Sequence, residues 1–318
     1  MGVVVALDAF DPEGSTYMRQ VFPDVIEQGH PLHATWTDHA VGLFVAKSRV
    51  TRDMISKAKK LRIIVRHGTG YDNIDAAACR DNGVMLCYCP GISAMNVAEV
   101  VLALTGACAK NLIEVSRQLQ AGERLNKKFK SLYSASLLTG KTFGIIGGGT
   151  IGQMVAKKFI GAYEGNVVVY DPALPSQAWG SIPHTHASSL EEVLPTADVL
   201  SIHVPLLPAT RDIIAAPQLK KMKPKAILIN TSRGGVVNEP DLWEALKDGI
   251  LASAGVDAWV REPPTKEDYG HVFEMPNVVT TPHIGGSPAE IQTATCRAMV
   301  DRMKEVLIDG IEPKDRVC

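Results

Sequence analysis

The sequence has almost no net charge: 33 Lys and Arg against 34 Asp and Glu leave −1 over 318 residues. It therefore lacks a basic stripe to track a phosphodiester backbone or an anionic lipid surface, and no nucleic acid and no membrane partner is expected. No apolar run is long enough to span a bilayer, and no signal peptide precedes the first one, which points to a cytoplasmic protein. The cysteines lack zinc-site spacing, so no metal is expected. Cys87 and Cys89 alternate along an apolar run, which in a strand turns both to one face. With Cys79, Cys108, Cys296 and Cys318 they read as thiols of a reducing compartment. Internal repeats and low-complexity stretches are missing too.

What is present is a globular composition, 46% hydrophobic and 21% charged, in a chain long enough for two domains. Short apolar strands alternate with longer helical stretches, the pattern of parallel sheets covered by helices. A first group of strands is read at Val3–Leu7, Leu43–Ala46, Arg62–Arg66 and Val84–Tyr88. A long helix is expected from Ala94 to about Ala121, followed by a polar connection carrying Lys127, Lys128 and Lys130. A second group has six strands: Thr142–Ile146, Val167–Tyr170, Val199–His203, Ala226–Asn230, Ala254–Asp257 and Val278–Thr281. Six such strands with helical crossovers suit a complete dinucleotide-binding sheet. The stretch from Ser287 reads as one amphipathic helix with Ile291, Ala294, Ala298, Met303 and Leu307 near one face.

The strand Thr142–Ile146 runs directly into Gly147-Gly148-Gly149-Thr150-Ile151-Gly152. Gly147 permits the tight turn, Gly149 lets the backbone approach a pyrophosphate, and Gly152 allows helix to pack on strand. Thr150 and Ile151 open the helix, whose unpaired N–H groups and partial positive charge suit phosphate. A second strand ends in Asp171, about 20 residues further on, the spacing of a carboxylate that takes both ribose hydroxyls. Asp171 would repel a 2′-phosphate, and Pro172 supplies no cation for one, so NAD is favoured over NADP.

Three polar residues follow strands of the second group: Arg233, Glu262 and His283. Ligands of open α/β sheets bind outside the carboxyl ends of the strands, so the three are placed to converge beside a nicotinamide. Hydride reduction of a ketone needs an acid for the developing alkoxide, and His suits neutral pH. A carboxylate touching the imidazole would favour its charged form and fix its orientation. Arg pairs with a substrate carboxylate or polarises its carbonyl. Singly, each is as readily a surface charge or a structural histidine; together they point to one chemistry.

These motifs resemble those of the D-isomer-specific 2-hydroxyacid dehydrogenase family. The matching stretches are His67-Gly68-Thr69-Gly70-Tyr71-Asp72-Asn73-Ile74-Asp75, the Gly147–Gly152 loop with Asp171, and His203-Val204-Pro205-Leu206. They continue with Asn230-Thr231-Ser232-Arg233-Gly234-Gly235, Gly255-Val256-Asp257 leading to Glu262-Pro263-Pro264, and Pro282-His283-Ile284-Gly285-Gly286. The resemblance implies that Arg233 binds the carboxylate and keto oxygen of a 2-oxo acid, that His283 is the general acid and base, and that Glu262 holds it. It implies cofactor contacts at His203, Val204, Pro205, Thr231, Ser232 and Gly285, and at Asp257 toward the nicotinamide carboxamide. Backbone amides of Gly68, Thr69 and Gly70 would cradle the substrate carboxylate.

The implied fold is two Rossmann-like, doubly wound parallel-sheet domains. The cofactor domain, residues 94–286, is inserted into a discontinuous substrate domain, 1–93 plus 287–318, with the active site in the cleft between them. The long helix resembles the family's dimerisation segment, so a homodimer is expected. Thr150 stands where many relatives carry Arg, which leaves only the backbone cradle. The sequence ends about one helix after His283, so no serine-binding regulatory domain is expected. Lys47, Arg66 and His67 flank the carboxylate loop and suit a second anionic group, as on a 3-phosphoglycerate-type substrate; solvated loop charges are the competing reading of Lys47. A formate dehydrogenase is disfavoured because that branch pairs its His with Gln, not with an acid such as Glu262. A different class is an NAD(H)-sensing corepressor-like binding protein on the same fold, which would lean on long disordered tails that the sequence does not show.

Overall fold

The computed structural model describes residues 2–122, 136–175 and 178–318; Lys127, Lys128 and Lys130 lie outside them. The chain divides into two compact units: Met1–Ser93 with Gly286–Cys318, and Ala94–Gly285. Among the described residues no single helix is long and apolar enough to cross a membrane.

The first unit contains β1 (Val3–Ala6), α1 (Pro12–Val21), β2 (Ala40–Val45), α2 (Arg52–Lys57), β3 (Ile63–Arg66), α3 (Ala76–Asp81) and β4 (Met85–Cys87). The strands form one parallel sheet in the order β1-β2-β3-β4, and Ile26 adds a parallel bridge on the outer side of β1. The strand order therefore reverses at β1, the mark of a doubly wound sheet. Alternation in β2 fills both layers: Leu43 and Val45 pack with Ile55 and Ala78, and Phe44 packs with Met18 and Met299.

The helix Ala289–Lys304 covers the Phe44 layer; of the expected face Met303 is buried and Ala298 and Leu307 pack against that layer, but the face is turned from the one read. Ala294 is exposed, and the buried stripe is Thr295, Cys296, Met299, Val300 and Met303. Two glycines fix this rotation. A Cβ at Gly14 would lie 2.4 Å from Cys296 Cβ, and one at Gly42 would lie 2.4 Å from Met303 Sδ. The helix turns its Cys and Met into the gaps that the missing side chains leave.

The second unit opens with α4 (Ala94–Lys110) and α5 (Leu112–Gln120). The single long helix expected here is bent by 62° at Asn111. Asn111 adopts φ +49°, a left-handed conformation that its short amide side chain tolerates and a helix interior does not. No residue of α5 is buried, and Leu112, Ile113 and Leu119 stand on the surface. The chain continues through β5 (Thr142–Ile146), α6 (Thr150–Tyr163), β6 (Asn166–Tyr170), β7 (Thr185–His186), α7 (Leu190–Val193), β8 (Val199–Ile202) and α8 (Ala216–Leu219). It ends with β9 (Ile227–Asn230), α9 (Glu239–Lys247), β10 (Ser253–Val256), α10 (Lys266–Phe273) and β11 (Val278–Thr280).

The seven strands are parallel in the order β11-β10-β9-β8-β5-β6-β7. Six correspond to strands read from the sequence; the seventh, β7, is a two-residue edge strand whose exposed Thr and His carry no apolar signal. The order reverses between β5 and β8, so the carboxyl ends there form the switch point at which ligands of such sheets bind. The Gly-rich segment follows β5 at that point.

Candidate active site

Gly147 sits at φ +95°, and a Cβ there would meet the His203 carbonyl oxygen at 2.6 Å. The loops after β5 and β8 are thus pressed together at the switch point. A Cβ on Gly152 would come within 2.3 Å of the Gly147 carbonyl oxygen, so helix α6 packs on the turn as only glycine allows. At Gly149, the N-cap of α6, a Cβ meets nothing within 4 Å among the described residues. The cap residue therefore faces open space, the space a pyrophosphate takes at a helix start. Thr150 and Ile151 begin the helix, as expected.

Asp171 is tied to this loop. Its Oδ2 accepts from the Gly148 N–H at 2.9 Å, and its Oδ1 accepts from Ala173 N–H at 2.9 Å across Pro172. The Gly148 carbonyl in turn accepts from the buried indole N–H of Trp179 at 2.9 Å. The ribose-type carboxylate and the phosphate-type loop are one hydrogen-bonded piece. Trp179 had no visible signal, because its partner lies 31 positions away in sequence.

At the end of β8, burial holds the His203 imidazole neutral, its pKa down to about 3, and its Nε2 meets Ser201 Oγ at 2.9 Å. Val204 lines the turn against Gly147, and Pro205 continues it, its carbonyl accepting from Thr210 Oγ1. At the end of β9, Asn230 fastens the next loop: its Oδ1 accepts from both the N–H and the hydroxyl of Ser232, and its Nδ2 donates to the Arg233 carbonyl. Thr231 is buried, and its hydroxyl has no hydrogen-bond partner among the described residues. A buried hydroxyl left this way is costly unless something else fills it. With the open face of Gly149, it shows that these strand ends fit a bound dinucleotide.

Arg233, Glu262 and His283 do converge. His283 Nδ1 lies 2.8 and 2.9 Å from the two carboxylate oxygens of Glu262. A carboxylate accepts only, so the contact selects the imidazole form with a proton on Nδ1. Burial acts to raise the Glu262 pKa, but the His283 hydrogen bond and charge, the Trp259 N–H and the Arg233 charge outweigh it and leave the carboxyl below its usual value. The side chains of His283 and Glu262 remain 35% and 39% exposed, open to a reactant.

Two features set this geometry. His283 adopts φ +61°, a left-handed backbone that costs of order 1 kcal/mol for a residue with a Cβ and that persists only where its surroundings enforce it. Asp257 does the enforcing: fully buried, it accepts from Ile284 N–H at 2.7 Å, Gly285 N–H at 3.1 Å and Thr281 Oγ1 at 2.6 Å. The resemblance put Asp257 against the nicotinamide carboxamide; its carboxylate is enclosed beneath the turn that carries His283. Gly234 is the second feature. A Cβ there would lie 2.0 Å from the Trp259 carbonyl, so the Arg233 loop and the Glu262 loop touch backbone to backbone.

The first unit places its own candidates at the ends of β2 and β3. Lys47 is exposed, but its loop is held: Asp8 accepts from the N–H groups of Ala46, Lys47 and Ser48, and Asn73 Nδ2 donates to the Ala46 and Ser48 carbonyls. Arg66 ends β3 and folds its guanidinium over Gly68, where a Cβ would meet Nη1 at 2.8 Å. Gly68 has φ +103°, and Thr69 and Gly70 continue the turn. Burial, then the Arg66 charge, lowers the His67 pKa to about 4, so that ring is neutral at pH 7. Asp8 had escaped the sequence reading, since its three amide partners lie about 40 residues away.

Comparison with known proteins bears on the whole arrangement. Residues 102–285 match the model for the NAD-binding domain of D-isomer specific 2-hydroxyacid dehydrogenases. The chain is 38% identical over 260 residues to a D-3-phosphoglycerate dehydrogenase of Methanocaldococcus jannaschii, covering 82% of this chain but 48% of the relative. It thus spans about half the length of that enzyme. It is 38% identical over 265 residues to a hydroxypyruvate reductase of Thermotoga maritima, covering 83% of this chain and 84% of the relative. The solved structure of the TT0316 protein from Thermus thermophilus superposes with a TM-score of 0.86 at 30% identity, over 99% of this chain and 100% of that one. A matched family model over more than half the sequence, with a relative aligned along most of its own length, settles the assignment: the chain belongs to the D-isomer specific 2-hydroxyacid dehydrogenase family.

Proposed function

We propose that the protein is an NAD-dependent D-2-hydroxyacid dehydrogenase that interconverts a 2-oxo acid and its 2-hydroxy acid. The observation that carries this is the His283–Glu262 contact at 2.8 Å, with the Arg233 charge close enough to act on Glu262. NADH, when bound, supplies the hydride that reaches the keto carbon. Arg233 pairs with the substrate carboxylate and polarises the keto oxygen. His283, tied through Nδ1 to Glu262, gives the proton on Nε2 to the developing alkoxide; in oxidation the same nitrogen takes it back. The Gly147–Gly152 loop and Asp171 hold the pyrophosphate and ribose, and His203, Val204, Pro205, Thr231, Ser232 and Gly285 line the strand ends beside them. Asp257 keeps the His283 turn in place.

The segment Gly68-Thr69-Gly70 presents backbone amides to the substrate carboxylate, and Arg66 with Lys47 favours a 2-oxo acid carrying a second anionic group. Residues 94–286 act as a cofactor domain inserted into a substrate domain of 1–93 and 287–318. The assembly is a homodimer in which a second copy covers Leu112, Ile113 and Leu119; a monomeric mass in light scattering contradicts that part. The relatives carry the names of dehydrogenases and reductases, which supports turnover over a binding-only role. NADH consumption over a panel of 2-oxo acids tests the proposal. Hydroxypyruvate, glyoxylate and phosphohydroxypyruvate should be reduced with NADH far better than with NADPH, since Asp171 repels a 2′-phosphate. No turnover of any of them, or equal use of NADPH, contradicts it.

A further inference from the structure

We propose that Glu239 is a positioning residue for the Glu262–His283 pair, holding the loop 259–262 so that the Glu262 carboxylate stays within hydrogen-bond reach of the imidazole. The inference rests on the reaction proposed above and concerns a residue outside the motifs that carry it. Glu239 is the first residue of α9, followed by Pro240. A carboxylate there ordinarily serves its own helix start. Here that work is done by Asn238, whose Oδ1 accepts from Asp241 N–H at 3.2 Å. Glu239 turns instead to the loop after β10: its Oε1 accepts from Val260 N–H at 2.7 Å, and its Oε2 accepts from the Tyr269 hydroxyl at 3.1 Å. Tyr269 Oη itself accepts from Arg261 N–H at 2.9 Å.

Three successive amides are thereby caught by side-chain oxygens: Trp259 by Glu262 itself, Val260 by Glu239, and Arg261 by Tyr269. These bonds matter because side-chain burial does not hold the loop beyond Trp259. Trp259 is anchored among Tyr269 and Phe273, with ring centroids 4.6 and 5.9 Å away. Beyond it the side chains lie outside: Val260 is 59% exposed, and Arg261 reaches an exposed ion pair with Asp268. Hydrophobic burial therefore stops at Trp259, three residues short of Glu262. From one side Gly234 presses on the Trp259–Val260 peptide, and from the other Glu239 draws on the Val260 amide. Burial, with the Glu262 charge nearby, raises the Glu239 pKa, a cost that a carboxylate serving only as surface charge would not meet.

The test compares Glu239→Ala, Glu239→Gln and Tyr269→Phe. The Gln amide oxygen still accepts from Val260 N–H, and its N–H₂ donates to Tyr269 Oη, which has a second lone pair. Glu239→Ala should lower kcat by about ten- to a hundredfold, the scale of a misplaced catalytic group, with the KM for NADH unchanged. Glu239→Gln should stay near wild type, and Tyr269→Phe should fall between; if the Ala variant does not fold, Tyr269→Phe carries the test. The His283 Nδ1 proton resonance, read without substrate, should shift in the Ala variant and return in the Gln variant. That readout stands even if no 2-oxo acid is turned over, so it separates failure of this inference from failure of the proposed reaction. Wild-type kcat and an unmoved Nδ1 signal in Glu239→Ala, or equal losses in the Ala and Gln variants, overturn it.

Discussion

Replacing His283 should lower kcat for 2-oxo acid reduction by about 10²- to 10⁴-fold, the usual contribution of a positioned general acid, while NADH still binds. Binding persists because the loop on β5, Asp171 and the Thr231 wall are untouched. The choice of substitution matters, because position 283 holds φ +61°. Asn tolerates the left-handed region better than other residues with a Cβ, so His283→Asn keeps the turn, and its amide still reaches toward Glu262. It has no proton to give at neutral pH. A loss shared by His283→Asn and His283→Ala therefore reports chemistry rather than a collapsed turn, and stopped-flow binding of NADH alongside steady-state turnover separates the two. The other site histidines cannot substitute. His67 and His203 are driven to about 4 and about 3 by burial and are neutral at working pH, whereas His283 has its Nδ1 against the Glu262 carboxylate. Near-wild-type turnover in His283→Asn would remove this residue from the mechanism.

Arg233→Ala is expected to cost about 2–5 kcal/mol of substrate affinity in the transition state, roughly one and a half to three and a half decades in kcat/KM. That is the penalty for taking one partner from a desolvated, hydrogen-bonded charge pair. The loss should fall on the 2-oxo acid and not on NADH. Arg233→Lys should recover only part of it, because an ammonium is a point charge without the planar fork that meets a carboxylate with two parallel bonds. The Arg233 charge also helps hold Glu262 ionised, so its removal lets the Glu262 pKa rise toward the ordinary range. Less of the carboxylate is then ionised in mildly acidic solution, and the acid side of the pH–rate profile should fall away at higher pH than in wild type. Unchanged kcat/KM in Arg233→Ala would exclude it as the carboxylate partner.

The sequence made the strand ends legible because parallel strands buried on both faces are continuous apolar runs, and each candidate residue comes just after one. The Gly147–Gly152 turn was equally readable, since three glycines at that spacing answer a steric demand made locally, within one turn and one helix start. What stayed hidden depends on partners far away in the chain. Asn111 breaks a helix whose apolar periodicity runs straight through it, because periodicity reports burial and not φ. The helix Ala289–Lys304 is rotated to meet Gly14 and Gly42, some 280 and 260 residues earlier, so its own pattern named Ala298, Met303 and Leu307 correctly but misplaced Ala294. Gly234 reads as one glycine of a motif, and only the built fold shows it against the Trp259 carbonyl. Asp257 is the sharpest case: its place in the motif gives no hint that its oxygens accept from Thr281, Ile284 and Gly285. Hydrogen bonds across 24 to 28 residues leave no periodic trace in a sequence.

The central claim is that hydride passes between the nicotinamide and the second carbon of a 2-oxo acid held by Arg233 and protonated by His283. The most direct measurement gives the enzyme NADH deuterated at the transferring position of the nicotinamide ring, with a 2-oxo acid it reduces, and follows the label and the configuration of the product. The account predicts one deuterium at carbon 2 of a 2-hydroxy acid of the D configuration, with none washed out to solvent. Label lost to water, label elsewhere in the product, or an L or racemic product would contradict it.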